Sequence, residues 1–372
     1  MRVLLISHTC QSISEGQPKA HALAAFDDVT LRVLVPDRWR RYGQWRKAEP
    51  PARAAFQYQV AKVSFPWLRF AQTYLHAYPC LQGVLREFQP DVIDIWEEPW
   101  SRVSYQAVTL RNRVLPRAKI VSETEQNIDR HLPYPFEGYR KFVLANADFA
   151  VGRSAEAVQV LRNKGYTGPA QAVPNAVDAV LFRPMDREEC RLNLALSGFV
   201  VGYVGRLVEE KGLFDLVEAV RLCPPQVNLV MVGDGPIREE LFRRSGDRIR
   251  ILPNRPPAEL PQLMNAMDVL VLASRTTASW KEQFGRVLIE AGACATPVIG
   301  SDSGAIPDVV AGGGLVVPQA NPAALAGAIK QLSSDASLRK SLGETGRKQV
   351  LEHYTWRRVA ERMRDIYRLV LA

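Results

Sequence analysis

The chain has 372 residues, 47% hydrophobic and 23% charged, which excludes a disordered or coiled-coil protein, and its length favours two cores over one. Its 48 Lys and Arg against 39 Asp and Glu leave a net charge of +9, which suits anionic ligands or surfaces without choosing among them. The five cysteines, at 10, 80, 190, 223 and 294, contain no C-x-x-C pair, and no apolar run has the length of a bilayer, so disulfides, structural zinc and a transmembrane helix are not expected.

Short runs rich in Val, Ile and Leu alternate with segments of helical period, the pattern of βαβ units and parallel sheets. The first apolar stretch, Val3 to Ile6, is only a strand's length with no cleavage site behind it, so a cytoplasmic protein is expected. Strands are predicted near 2–7, 29–35, 57–65, 91–96, 118–122, 148–151 and 170–174, separated by helices near 18–26, 79–88, 101–112, 137–146 and 154–164. From 175 to 197, Pro184 and mixed charges interrupt the pattern, which marks a hinge. Beyond it, strands near 199–204, 227–232, 248–252, 268–272, 296–300 and 314–317 enclose helices near 211–222, 236–244, 258–266, 285–294 and 321–333. A final amphipathic helix sets Val359, Met363, Ile366 and Val370 on one face. The expected architecture is α/β: a Rossmann-like domain over 1–180, joined by the C-terminal helix 355–372, and a second over 190–354.

Two stretches of the second half suit phosphate. In the first, a buried strand ends at Gly205 and Arg206, with Lys211 at the start of the next helix; Gly205 admits close backbone approach, and the cations face oxyanions. A tight turn with solvated charges explains it equally well. In the second, Glu282, Phe284, Gly285, Arg286 and Val287 open a helix whose first N–H groups lack intrahelical acceptors. Glu290 lies further along among apolar residues, where a carboxylate needs a hydrogen-bonding partner such as ribose hydroxyls or an Arg.

The ordered pattern G-R-x-x-x-x-K-G and E-x-F-G-x-x-x-x-E resembles family four of the retaining glycosyltransferases, of GT-B fold. Pro174-Asn175-Ala176-Val177-Asp178, Val232-Gly233-Asp234-Gly235-Pro236 and Pro297-Val298-Ile299-Gly300-Ser301 extend the likeness over most of 148–333. Ala176, and the run Gly292-Ala293-Cys294-Ala295, depart from the family's usual residues. The resemblance implies two Rossmann-like doubly wound domains facing each other across a cleft. It places Arg206 and Lys211 on the donor diphosphate, Glu282 on the transferred sugar and Glu290 on the ribose. The backbone from Phe284 to Val287, with Gly205, completes the donor site, and Gly16 is the one glycine available for the family's loop after the first strand. Where many members have a His near the reacting sugar, this chain has Ser122-Glu123-Thr124-Glu125-Gln126-Asn127, so Glu125, Gln126 or Asn127 takes that place or the loop caps the next helix. Glu97 and Glu98 also sit at a strand's C-terminal end, where α/β ligand sites occur.

The implied activity is transfer of a sugar from a nucleoside diphosphate sugar to a hydroxyl of a glycan, lipid-linked or small-molecule acceptor, as in polysaccharide or glycolipid biosynthesis, with retention and without metal or other cofactor. A nucleotide-sugar epimerase, a phosphorylase or a non-catalytic nucleotide-sugar scaffold are the alternatives. Residues 38–47, which interleave Trp39, Tyr42 and Trp45 with cations, admit three readings: a plain loop, which is favoured, an acceptor-stacking loop, or a peripheral contact with the inner membrane face. No nucleic-acid module is present.

Overall fold

The computed structural model describes residues 1–41, 44–64 and 71–372. The chain divides into two compact units, one of residues 1–174 with 356–372 and one of 175–355.

The first unit runs β1 (Arg2–Ile6), α1 (Gln17–Ala24), β2 (Thr30–Pro36), β3 (Arg38–Arg41), β4 (Gln44–Lys47), β5 (Gln57–Ala61), α2 (Ala71–Tyr74), α3 (Leu81–Phe88), β6 (Val92–Ile95), α4 (Arg102–Val114), β7 (Lys119–Thr124), α5 (Phe136–Asn146), β8 (Phe149–Gly152), α6 (Ala155–Asn163) and β9 (Ala170–Ala172). Seven strands pair in the order β5-β2-β1-β6-β7-β8-β9. All those pairs are parallel. Strands buried on both faces need continuous apolar runs, and Val3 to Ile6 and Val33 to Val35 are fully buried. Ser101 and Ser154 start α4 and α6 by accepting from the backbone N–H three residues on.

The second unit runs α7 (Arg187–Leu194), β10 (Phe199–Val204), α8 (Leu213–Arg221), β11 (Val227–Val232), α9 (Arg238–Ser245), β12 (Ile249–Leu252), α10 (Leu260–Ala266), β13 (Val269–Leu272), α11 (Arg286–Ala293), β14 (Val298–Ser301), α12 (Ile306–Val310), β15 (Gly314–Val317), α13 (Pro322–Ser334) and α14 (Ala336–His353). Its six strands pair in the order β12-β11-β10-β13-β14-β15, again all parallel. The winding reverses between β10 and β13 here, and between β1 and β6 in the first unit; α/β ligand sites form beyond the carboxyl ends of strands at such points.

After α14 the chain forms α15 (Trp356–Leu371), which belongs to the first unit and packs on α1. Val359, Met363 and Ile366 are buried on its apolar face. No helix among the described residues is long and apolar enough to cross a membrane.

Three segments differ from the sequence expectation. Residues 38–47 form an antiparallel pair, with Arg38 opposite Lys47 and Trp39 opposite Arg46, where a plain loop was favoured; Tyr42 and Gly43 lie outside the described residues. The stretch read as a bare hinge contains α7, which Asp186 caps by accepting from Glu189 N–H at 2.9 Å. Its only buried residue is Cys190, so it lacks an apolar stripe; Arg187 and Arg191 instead dock it by ion pairs to buried Asp268. Likewise α14 buries only Gly343, Gly346 and Val350, and its helical period is invisible to a hydrophobic pattern.

Candidate active site

The phosphate-type residues of the second unit gather at the carboxyl ends of β10 and β13. Gly205 follows β10, its N–H donating to Val232 O at 3.0 Å. Tyr203, fully buried, donates its phenol to the Arg206 carbonyl at 2.6 Å and so holds the turn. The Arg206 side chain is exposed and has no ion-pair partner among the described residues. Lys211 ends the short turn Glu209–Lys211 that leads into α8. Gly212 is in the left-handed region at φ +64°, and a Cβ there would come 2.0 Å from the Ala273 carbonyl oxygen, so only glycine lets this turn lie on the end of β13.

Lys211 and Glu282, which the sequence reading gave separate tasks, are brought together. Lys211 Nζ lies 2.5 Å from Glu282 Oε2, and the same oxygen accepts from Ser274 Oγ at 2.7 Å. The ammonium also sits 4.9 Å from the centre of the Trp280 ring. Arg275 forks onto Asp215, with Nε donating to Oδ2 at 2.6 Å, and so ties the loop after β13 to α8. Ser274, Arg275 and Trp280 were not legible as site residues; the one available signal was their position directly after a buried strand.

Gly285, at φ +80°, forms the cap of α11. Beyond it the first N–H groups, including those of Arg286 and Val287, point out of the helix without intrahelical acceptors, at its positive end. Phe284 is buried and meets Tyr354 edge-on at 5.8 Å. Glu290 is buried in α11, which pushes its carboxyl above the ordinary range, and Arg286 Nε opposes this by donating to Oε1 at 3.0 Å. The Arg partner considered from sequence is therefore present.

Gly16 and Glu125 lie in the first unit. Gly16 precedes α1, and a Cβ on it would fall 2.4 Å from the Cys10 backbone nitrogen, so close packing by itself accounts for glycine there. Glu125 follows β7; its N–H donates to Glu98 Oε1 at 2.9 Å, and its Oε1 lies 3.6 Å from Arg153 Nε. The neighbouring amides serve the loop, Gln126 donating to Ile128 O and Asn127 to Glu156 Oε2. The sequence reading named Glu97 and Glu123 but not the two polar clusters of this unit to which they belong. Buried Lys19, Asp94, Glu123 and Arg153 form a chain of ion pairs, which Tyr367 of α15 joins by donating to Asp94 Oδ2 at 2.6 Å. His8, after β1, pairs with buried Glu97, after β6.

The family model for glycosyl transferases, group 1, matches residues 185–349, which contain the whole of the Arg206, Lys211, Glu282 and Glu290 constellation. The chain carries a group 1 glycosyltransferase domain. Among curated proteins, this glycosyltransferase is 28% identical over 299 residues to the D-inositol 3-phosphate glycosyltransferase of Corynebacterium jeikeium, across 74% of its own length and 67% of that relative's. In fold it is similar to sucrose-phosphate synthase from Thermosynechococcus elongatus, with a TM-score of 0.74 at 22% identity over 100% of this chain and 99% of that one. The Anabaena protein HepE, in complex with UDP and glucose, superposes with a TM-score of 0.71 at 18% identity over 99% and 100% of the two chains. The glycosyltransferase is thus built of two Rossmann-like α/β domains of the GT-B class.

Proposed function

We propose that the protein transfers a sugar from a nucleoside diphosphate sugar to an acceptor hydroxyl, with the anomeric configuration retained and without a metal ion. The observation that carries this reading is the placement of Arg206, the Lys211–Glu282 pair and the α11 N-terminus around one sheet end at the β10/β13 reversal. An ammonium has three donors; Glu282 takes one, and the rest remain for phosphate oxygens. Arg206 adds a fork without a competing ion pair among the described residues, and the helix start adds fixed N–H dipoles.

In the step proposed, the bond from the anomeric carbon to the diphosphate oxygen breaks and its electron pair leaves with the diphosphate. The acceptor oxygen bonds to that carbon on the same face, and its proton passes to a leaving phosphate oxygen. Arg206, Lys211 and the α11 dipole stabilise the charge that develops, the preorganised role a metal ion would otherwise fill. Glu282 orients Lys211 and is assigned to hydroxyls of the transferred sugar, and Glu290 to the ribose. Glu125 in the first unit is assigned to the reacting sugar.

The relatives' names support this chemistry: one is a glycosyltransferase named for an inositol phosphate, and another was solved with UDP and glucose. The acceptor is accordingly a glycan, a lipid-linked sugar or a small polyol. The β3–β4 pair, whose Arg38 lies 5.4 Å from the Trp45 ring centre, is assigned to contact with the inner membrane face of the cytoplasm. Proton NMR of the transfer product tests the reaction. The anomeric coupling should match that of the donor and turnover should persist in EDTA, whereas an inverted product or abolition by EDTA overturns the proposal.

A further inference from the structure

The loop after β13 carries one aromatic ring that the donor reading leaves without a task. Trp280 lies in a tight turn: its carbonyl accepts from the Thr277 N–H at 2.7 Å, and its own N–H donates to Thr277 Oγ1 at 3.0 Å. The Ser279 N–H donates to the same hydroxyl at 3.3 Å. Both ends of the loop are tied down as well. Ser301 Oγ donates to the Ser274 carbonyl at 2.5 Å, and the Ala305 N–H donates to the Glu282 carbonyl at 3.1 Å. None of these bonds involves Lys211, so the loop sets the place of Trp280 independently of the ammonium.

Lys211 reaches this ring on a flexible four-carbon stem, and an ammonium on such a stem swings about a single carboxylate partner. Here it has two contacts. Nζ is 2.5 Å from Glu282 Oε2, and it lies over the Trp280 face, 4.9 Å from the ring centre. The negative face of an indole attracts a cation within about 6 Å, and Trp is the strongest aromatic side chain in this role. The Lys211 side chain is only 13% exposed, and partial loss of water strengthens that attraction. A hydrogen bond on one side and a ring face on another confine Nζ, and the N–H groups directed away from both are those a phosphate oxygen meets.

We propose that Trp280 is a positioning residue for the donor diphosphate: its ring face, set by the Thr277 turn, fixes the direction in which Lys211 presents its ammonium. Lys211 touches the diphosphate, and Trp280 acts through it without a part in the covalent step. The inference rests on the transferase reading and adds to its donor site the residue that aims the cation.

Mono-, di- and trifluorinated tryptophans placed at position 280 by nonsense suppression test this, since each fluorine drains the ring face of electron density at nearly constant shape. UDP-glucose, GDP-mannose, ADP-glucose and dTDP-glucose are titrated calorimetrically in turn. The affinity for whichever binds should fall stepwise along the series, by about 3- to 30-fold in all, the size of a partly buried cation–π contact. Trp280→Phe, which keeps a ring face, should lose no more than a few-fold, and Trp280→Leu at least as much as the trifluoro form. With no donor present, the Lys211 Cε protons, assigned by loss in Lys211→Met, should carry a ring-current shift that disappears in Trp280→Leu. Affinity indifferent to the fluorine series, or a Lys211 signal unmoved by Trp280→Leu, overturns the inference and leaves the donor site standing. Wild-type protein that binds none of the four sugars, while the Lys211 signal still answers to Trp280, counts against the donor site and takes the inference with it.

Discussion

Lys211 and Glu282 are 13% and 10% exposed in their side chains, so each neutralises a charge that the other would find costly to bury. Lys211→Met leaves the Glu282 carboxylate in place without its cation, and Glu282→Gln leaves the ammonium without its anion. Breaking a fully buried pair costs about 3–5 kcal/mol, and because Lys211 also rests on the Trp280 face with partial access to water, about 2–3 kcal/mol is expected for either single change. The double variant removes both charges, so its cost should fall short of the sum of the singles by about 1–3 kcal/mol. Urea unfolding of all four proteins, followed by circular dichroism, gives the cycle. Single-variant costs that add within about 0.3 kcal/mol would show that the two side chains do not interact, and the built geometry of the donor site would fail with them.

Other perturbations probe the surrounding scaffold. Burial raises the half-buried Glu98 carboxyl from 4.5 to about 7 against the opposing bonds from Thr124 Oγ1 and Glu125 N–H. The folded state thus prefers the neutral acid, no cost exists below pH 4.5, and stability falls as pH climbs through 7. Glu98→Gln should raise stability by about 2 kcal/mol at pH 8 and leave it unchanged at pH 4, which melts at the two pH values would read. Tyr367→Phe removes the buried hydroxyl that donates to Asp94, and should cost about 1–3 kcal/mol in urea unfolding. Gly212→Ala forces a side chain into the left-handed region against the Ala273 carbonyl; a loss of at least ~2 kcal/mol and of sugar transfer is expected, with normal stability contradicting the close approach.

What could be read from the sequence follows from how far each signal reaches along the chain. The central strands were legible because a strand buried on both faces writes a continuous apolar run, as Val201 or Val271 and their neighbours do. The turn and the helix start that carry Arg206, Lys211, Glu282 and Glu290 were legible because glycine turns and unpaired helix-start N–H groups are local features of the chain. The Lys211–Glu282 pairing spans 71 positions, and that of His8 with Glu97 spans 89; nothing local encodes either, since both arise when distant strand ends become neighbours in a parallel sheet. The helix α7 escaped because ion pairs to Asp268 hold it where apolar residues would ordinarily serve. The β3–β4 pair escaped because four of its residues, Gln44 to Lys47, are exposed and show no alternation of apolar and polar.

The central claim is that the second unit's cations, and no metal ion, receive the diphosphate of a nucleotide sugar. Isothermal titration in EDTA with UDP-glucose, GDP-mannose, ADP-glucose and dTDP-glucose, repeated on Arg206→Ala, tests it most directly. Saturable binding of one of the four, weakened about 10-fold or more by Arg206→Ala, is the predicted result. Binding to none of them, or binding that the Arg206 variant keeps unchanged, would contradict it.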